Sequence, residues 1–373
     1  MFIFRHGSGR AAQLTPRSIA GIKRTYASRI DLPFTPPPVP VVESCPVPTC
    51  QCRDMPEGLD IEREHNINGS MAAYAEQVLV STGRKDWKSK IEDEDEGMLV
   101  KQLKGFLGPK GKYSDPYHNV MLTNSSFSPS DCPPTQNETP REATSTDRSV
   151  PIARPGSNEP PQIADLTAPA SAFLLPSFQY VPTVPTDSSG VESFIKAFLK
   201  PSQLHQSHDR LTRAEKNMLQ RQPEMQRRFV GARKVDEILV LICGHGGRDV
   251  RCGTLGPILQ HEFEEKLHRQ NVALLQNAPV AEAVELNTDA EGYTPTARVG
   301  LISHIGGHKW AGNVIVYIPP SFSTNALAGK GIWYGRVTPA DVEGIVSKTI
   351  LDGKVIKQLF RGGIDQNREI LRL

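Results

Sequence analysis

Two cysteines and two histidines lie in glycine-rich segments, each directly after an apolar run of the chain. Cys243 and Cys252 have eight residues between them, three of which are glycine, and His304 and His308 have three residues between them. Thiolate and imidazole groups in combination bind zinc or iron–sulfur clusters. If the two apolar runs form neighbouring strands, folding alone brings both loops together. The four residues therefore predict a metal centre.

The spacing of the cysteines bears on which metal is bound. Ordinary zinc sites place about two to four residues between paired cysteines, whereas eight residues separate Cys243 from Cys252. A loop of this length can wrap a group larger than one ion, and its glycines allow backbone N–H groups to approach sulfur closely. The spacing favours a binuclear cluster and leaves tetrahedral zinc open. A dithiol active site is disfavoured, because such sites usually have the pattern C-x-x-C.

Neighbouring residues of the two loops are interpreted as supports and not as ligands. His245 is expected to stabilise the first loop, and Asp249 to hydrogen-bond within that loop or to pair with Arg251. Lys309 and Trp310 follow the second histidine and are candidates for tuning or shielding the centre, although a core position explains Trp310 equally well. No Ser/His/Asp or paired-carboxylate arrangement stands out as a hydrolytic site.

The other four cysteines lie outside this constellation. Cys45, Cys50 and Cys52 form a group in a proline-rich segment, where they could serve as a thiol relay, a second metal site or merely exposed cysteines, and the lack of a nearby histidine favours the last. Cys132 lies in a low-complexity stretch and is expected to be free. Six cysteines in 373 residues do not make a disulfide framework and suit metal binding or redox chemistry.

The C-terminal third has the alternation of elements needed to position the four ligands. The continuous β-branched run at 237–242 is typical of a strand covered on both faces. A Thr, Pro and Asp at the start of the last predicted helix suit its N-terminus. The fold class predicted is α/β, with a thioredoxin-like domain whose central sheet is covered by helices. After the first strand we expect helix, strand, strand, strand and helix over about 255–270, 298–303, 313–318, 331–337 and 338–351.

Composition divides the remainder of the chain. Prolines are frequent before residue 49 and disfavour both helix and sheet pairing, and the stretch from 124 has almost no bulky apolar residues with which to offset the entropy of ordering. The predicted segments are a presequence (1–30), a proline-rich connector (31–70), a smaller N-terminal α/β segment (71–123), a low-complexity disordered insertion (124–165), a helical connecting region (166–234) and the thioredoxin-like domain (235–373).

Charge and hydropathy indicate where in the cell the protein is located. The first thirty residues hold six basic and no acidic residues, as in a mitochondrial transit peptide, with cleavage predicted after Tyr26. A net charge of +2 provides no strong field for nucleic acid or an anionic membrane, and no apolar run is long enough for an ordinary transmembrane helix. We expect a mitochondrial protein, in the matrix or intermembrane space, with protein redox partners, no nucleic acid and no membrane insertion.

Three runs together carry a specific resemblance: CGHGGRDVRCG at 243–253, HIGGHKWAGNV at 304–314 and WYGRVTP at 333–339. In combination they resemble the sucrase/ferredoxin-like family of thioredoxin-like ferredoxins. The run at 78–87 is more weakly similar to the N-terminal half of that family. The resemblance implies a [2Fe–2S] cluster, with Cys243 and Cys252 on one iron and His304 and His308 on the other.

This ligand set has chemical consequences. Two neutral imidazoles in place of thiolates raise the reduction potential, as in Rieske centres, and their second ring nitrogens couple electron transfer to proton transfer. The function expected is electron transfer or redox sensing in mitochondria, with a role in redox quality control implied by the resemblance. Two alternatives remain open: a zinc-stabilised interaction module, and a metal-free thiol oxidoreductase using Cys243 or the Cys50/Cys52 pair.

Overall fold

Short apolar runs along the chain assemble into one large mixed sheet. The computed structural model describes residues 37–94, 98–130, 169–279 and 295–373. The predicted presequence, Cys132 and most of the predicted insertion lie outside the described residues. Among the described residues, no helix is both long and apolar enough to span a bilayer.

The described elements are as follows. The strands are β1 (Val41–Val42), β2 (Glu76–Ser81), β3 (Val120–Ser125), β4 (Ala170–Leu175), β5 (Gln179–Val184), β6 (Arg233–Lys234), β7 (Ile238–Cys243), β8 (Ala273–Leu274), β9 (Thr296–Ile302), β10 (Val314–Ile318), β11 (Lys330–Tyr334), β12 (Val355–Ile356), β13 (Phe360–Asp365) and β14 (Ile370–Leu371). The α-helices are α1 (Met98–Leu107), α2 (Ser188–Phe194), α3 (Arg213–Leu219), α4 (Val250–Arg269) and α5 (Pro339–Gly344), and α2 and α5 continue as the π-helical segments Ile195–Leu199 and Ile345–Leu351. The 3₁₀ turns are Ile91–Asp93, Gln206–His208, Pro223–Arg228, His308–Trp310 and Lys357–Leu359.

The C-terminal part of the sheet is the predicted thioredoxin-like unit. Along the chain it runs β7, α4, β9, β10, β11, α5, and across the sheet its strands lie in the order β11, β10, β7, β9. The central strand β7 is parallel to β9 and antiparallel to β10, which is in turn antiparallel to β11. This order places the two apolar runs that precede the predicted ligands beside each other.

The N-terminal part repeats this topology. It runs β2, α1, β3, β4, β5, α2, and its strands lie in the order β5, β4, β2, β3 with the same relative directions. The equivalent strands β3 and β9 pair antiparallel at Ser125 and Ile302, so that the two units form one continuous sheet. Only the second unit carries the cysteines and histidines of the predicted metal centre.

Residues on strand β7 show why its sequence is apolar at every position. Ile238, Val240 and Ile242 belong to a core that contains apolar side chains of α4 and α5. Leu239 and Leu241 belong to a second core on the opposite face, together with aromatic side chains of β4, β5, β10 and β11. Each fully buried side chain of this size contributes about 1.5–3 kcal/mol, so that the strand that ends at Cys243 is firmly fixed.

Three expectations about the N-terminal half are corrected. The predicted insertion was expected from residue 124, but Asn124 and Ser125 complete β3. The region expected to be helical over 166–234 begins with the hairpin of β4 and β5. The connector, in which no core was expected, buries Val39 and pairs β1 with β12. Prolines exclude helix there but permit an extended segment that packs across the second unit.

Candidate metal centre

The ends of strands β7 and β9 bring a cysteine and a histidine together. Cys243 is the last residue of β7 and pairs with Ile302, the last residue of β9, so His304 lies two residues beyond. Parallel neighbours end at the same edge of a sheet, which is where α/β proteins generally build their sites. The Sγ atom of Cys243 lies 4.0 Å from Nδ1 of His304. The neighbouring strands that the sequence argument required are therefore present.

Cys252 reaches the same point from a helix. The sequence predicted a helix from about residue 255, but α4 begins at Val250, where the side chain of Asp249 accepts a hydrogen bond from Arg251 N at 3.0 Å and provides the N-cap. Cys252 consequently lies in the first helical turn, and its side chain is fully buried. As predicted, Asp249 also pairs with Arg251, at 2.9 Å.

Glycines allow this helical turn to pack closely against the loop that follows Cys243, residues 244–249, which we call the cysteine loop. A Cβ atom on Gly253 would lie 2.5 Å from the Cα of Gly246, and a Cβ on Gly256 would lie 2.7 Å from the Cα of Gly244. Side chains at these positions would overlap backbone atoms, which cannot move aside as a side-chain tip can. The two glycine pairs thus determine how closely Cys252 approaches Cys243.

Three of the four predicted ligands form one compact group. The ligand atoms of Cys243, Cys252 and His304 all lie within 4.8 Å of one another, with both cysteines buried and the histidine partly buried. His308 lies beside them, its ring centroid 5.3 Å from that of His304. It is exposed, opens the turn His308–Trp310, and is not part of the three-atom group. The site therefore has a buried thiol side and an imidazole side that faces solvent.

His245 positions the second loop and is not available as a ligand. Its Nε2 lies 3.0 Å from both the Trp87 and Lys88 carbonyl oxygens, and its Nδ1 accepts a hydrogen bond from His304 N at 3.0 Å. Both ring nitrogens are occupied by backbone partners in a side chain that is almost fully buried. The prediction of a loop-structural role is confirmed.

Replacing His245 tests this role. His245→Ala leaves two carbonyls and the N–H of His304 without their imidazole partner in the interior, so we expect the free energy of unfolding to fall by about 2–4 kcal/mol. Metal affinity should also fall by about tenfold or more, because His245 orients the loop that carries His304. Urea titration and metal analysis of the folded fraction measure the two quantities. His261→Ala, at an exposed position of α4, is the control and should change neither.

A segment of the N-terminal unit supports the cysteine loop from the other side. Both carboxylate oxygens of Asp86 lie 3.1 Å from Gly247 N, which donates to them, and Arg248 donates to Ser89 Oγ at 3.3 Å. Trp87 is buried, with its ring edge-on to that of His245. These residues follow β2 as the cysteine loop follows β7, so that the first unit supplies a supporting loop where the second supplies ligands.

Charge at the site is set mainly by the two cysteines. Without metal, the hydrogen bond from Cys252 and the nearby His304 lower the pKa of Cys243 well below its usual value, while the same hydrogen bond and burial raise the pKa of Cys252. Both shifts favour the thiolate form at Cys243 and the thiol form at Cys252. Since the thiolate is the form that binds metal, the pair is prepared for a metal ligand role.

Comparison with known proteins agrees with this picture. The model of the sucrase/ferredoxin-like family matches residues 67–362. This chain belongs to the sucrase/ferredoxin-like family. The matched range contains both thioredoxin-like units, all four predicted ligands and the supporting residue Asp86. No solved structure matches the chain.

Several fungal relatives within the curated proteins carry one name, "Altered inheritance of mitochondria protein 32". The protein from Debaryomyces hansenii is 28% identical over 364 residues, which cover 92% of this chain and 99% of the relative. The protein from Meyerozyma guilliermondii is 40% identical over 131 residues, 35% of this chain and 36% of the relative. That from Clavispora lusitaniae is 42% identical over 127 residues, 33% of this chain and 34% of the relative.

The N-terminal cysteines lie outside the range that matches the sucrase/ferredoxin-like family, and they are not the merely exposed thiols that were expected. Cys50 donates to Glu343 Oε2 at 3.1 Å and accepts from Lys266 Nζ at 2.9 Å. Cys45 donates to the carbonyl of Asp341 at 3.4 Å, and Cys52 is partly buried beside Cys50. In the described part of the chain these three thiols join no group of three potential metal ligands. Cys45 and Cys50 therefore connect the proline-rich segment to α4 and α5 by hydrogen bonds.

Lys309 and Trp310, which follow the second histidine, lie at the surface. The indole of Trp310 is partly exposed and donates to Glu62 Oε2 at 2.6 Å, and the ammonium of Lys309 lies 4.6 Å from the Trp310 ring centroid. A core position for Trp310 is therefore wrong. The tuning or shielding role predicted for these two residues stays a prediction.

Proposed function

We propose that the chain binds a [2Fe–2S] cluster through Cys243, Cys252, His304 and His308 and acts in electron transfer or redox sensing. The observation that carries this proposal is the convergence of two buried thiols and one imidazole within 4.8 Å, with a second imidazole beside them. Ligand atoms of one tetrahedral zinc lie about 4 Å apart or less, given metal–ligand distances of about 2.0–2.3 Å. The position of His308 outside the compact group favours a centre with two metal ions.

The donor set fits such a cluster chemically. When bound, a cluster with two thiolate and two imidazole ligands would supply one-electron chemistry at a potential above that of all-cysteine ferredoxins. Cys243 and Cys252 would hold it on the side from which water is excluded. His304 and His308 would hold it on the solvent side, where the exposed ring of His308 can exchange a proton with water through its free nitrogen.

Proton exchange at the imidazoles predicts a pH-dependent reduction potential. With a cluster bound, loss of a proton from a ligating imidazole at higher pH would disfavour the added electron, so the potential should fall as pH rises. Where one proton accompanies one electron, the slope is about 59 mV per pH unit. Protein-film voltammetry from about pH 6 to about pH 10 measures it. A flat potential over this range would contradict the prediction, and His308→Cys, which removes one imidazole, should flatten the slope.

We further propose that the protein acts in mitochondria on protein redox partners. This is supported by the acid-free, basic composition of residues 1–30 and by the name of the relatives, which refers to mitochondria. Fusing residues 1–36 to a fluorescent protein tests the address: we expect mitochondrial import and loss of a short N-terminal peptide. A fusion that stays cytosolic would refute it.

The decisive test of the cluster is analysis of protein purified without oxygen. An ultraviolet–visible spectrum with charge-transfer bands, together with equal iron and acid-labile sulfide at about two of each per chain, is the expected result. A colourless protein with about one zinc, which unfolds on chelation, would overturn the proposal and leave a zinc-stabilised module. If activity on thiols persisted in the double variant His304→Ala/His308→Ala without any metal, a thiol oxidoreductase would replace it.

A further inference from the structure

A buried arginine lies against the loop that carries the two histidines. Arg361, on β13, has only 1% of its surface exposed. Its Nη1 donates to Gly306 O at 3.2 Å and to Asn313 Oδ1 at 2.6 Å, and its Nη2 donates to Ser70 O at 2.9 Å. A Cβ atom on Gly307 would lie 2.7 Å from that Nη2. The guanidinium therefore contacts both glycines between His304 and His308.

Aromatic rings enclose the same guanidinium. Its central carbon lies 5.2 Å from the ring centroid of Trp310 and 5.6 Å from that of Trp333. The rings shield the charge from water and contribute about 0.5–2 kcal/mol each through their quadrupoles. The charge is consequently held in a fixed place, close to the centre and away from solvent.

No carboxylate lies within salt-bridge distance of Arg361 in the described part of the chain, whereas the buried cations Arg298 and Lys266 each have one. Arg298 pairs with Glu237 at 2.9 Å, and Lys266 pairs with Glu262 at 3.0 Å. A buried charge without an opposite charge is strongly unfavourable. The groups that Arg361 contacts among the described residues are neutral. The thiolates of the metal site are therefore the candidates for its compensating negative charge.

The cysteines are the negative groups available. Burial lowers the pKa of Arg361 to about 10, and the charges of Cys243 and Cys252 act against that decrease by favouring the guanidinium. The ligand atom of His304 lies within 4.8 Å of both thiol sulfurs, and Arg361 contacts Gly306, two residues after His304. One fixed cation thus lies against the loop that completes the metal site.

We propose that Arg361 is the buried counter-charge of the metal centre, a positioning residue that stabilises bound thiolates and raises the reduction potential of the centre. The effect on potential rests on the proposed cluster, while the effect on metal retention holds for any metal bound by the thiolates. Reduction adds negative charge to the site, which a nearby cation favours. A purely structural role would instead weaken the fold without changing the potential.

Four variants of the full-length protein separate these roles. Arg361→Gln removes the charge and keeps hydrogen-bonding capacity, and Arg361→Lys keeps the charge without the planar fork. Asn313→Asp leaves the arginine in place and gives it a carboxylate neighbour of almost unchanged shape, which neutralises its charge. This variant tests the same role if Arg361→Gln does not fold. Arg298→Gln disrupts a buried ion pair on β9 and controls for general destabilisation. The readouts are reduction potential, loss of metal to a chelator, and thermal unfolding.

For Arg361→Gln and Asn313→Asp we expect the equilibrium constant for one-electron reduction to fall roughly tenfold, equivalent to about 59 mV. Arg361→Gln should also lose metal to the chelator at least about ten times more readily. Arg361→Lys should stay near the wild-type potential, and Arg298→Gln should lose thermal stability without a shift in potential.

The outcomes distinguish failure of this inference from failure of the proposed function. If the wild-type protein contained only zinc, the proposed cluster would be refuted. The rate at which the same variants lose zinc to a chelator would still show whether Arg361 stabilises the bound thiolates. If Arg361→Gln and Asn313→Asp matched wild type in metal retention, and in potential where a cluster is present, the counter-charge would be refuted. Equal loss of stability in Arg361→Gln and Arg361→Lys at unchanged potential would likewise leave Arg361 as a structural residue only.

Discussion

Cys243→Ser protein purified without oxygen is expected to lose nearly all bound metal, with affinity lowered by at least about 100-fold. A serine hydroxyl does not ionise near neutral pH and is a poor ligand for the soft metals that thiolates bind. Cys243 also fixes the geometry, because it ends the fully buried strand β7 and lies within 4.8 Å of both other ligand atoms of the group. Metal-to-protein ratio by mass spectrometry of metals, and the visible spectrum, measure the loss.

Cys45→Ser is the matched control for this result. Cys45 is partly buried and donates a hydrogen bond, but only to the carbonyl of Asp341, and it belongs to no metal-ligand group among the described residues. We expect its metal content to equal that of the wild type. Full metal content in Cys243→Ser, or equal losses in both variants, would contradict the assignment of Cys243 as a ligand.

The ligands could be predicted from sequence because their signals are local. Cys243 and His304 each follow an apolar run of strand length, and a strand that is buried on both faces needs such a run. The sequence could not establish that β7 and β9 are neighbours, since strand order depends on contacts far apart along the chain. The start of α4 was placed too late because glycines at 253 and 256 usually argue against helix. Here they are required by the approach of the helix to backbone.

The residues that support the two loops could not be predicted from the sequence, for a different reason. Asp86 caps a loop 161 residues away, and Arg361 contacts a loop 55 residues before it. Neither residue has a neighbour in sequence that marks its role. The repeat of the thioredoxin-like topology was also not visible in the sequence, because the equivalent strands end in different residues: β2 ends at Ser81 and β7 ends at Cys243. The two units have the same strand order with different chemistry at the strand ends.

The close contact of α4 with the cysteine loop gives a second large expected effect. In Gly253→Ala the added methyl would lie 2.5 Å from the Cα of Gly246, so helix or loop must shift. Such overpacking costs typically about 1–3 kcal/mol, which exceeds the gain of about 0.5–1 kcal/mol from replacing a helical glycine. We expect a net loss of stability in urea titrations. Metal affinity should fall by at least about tenfold, since Cys252 moves away from Cys243.

Gly105→Ala provides a control of opposite sign. Gly105 also lies within a helix, α1, but a Cβ atom there would have nothing within 4 Å. The same substitution should therefore raise the free energy of unfolding by about 0.5–1 kcal/mol and leave metal affinity unchanged. If Gly253→Ala behaved like Gly105→Ala, the contact between α4 and the loop would not limit the approach of the two cysteines. If Gly253→Ala lost both metal and stability and Gly105→Ala lost neither, the packing of α4 against the loop would be shown to set the position of Cys252 at the metal site.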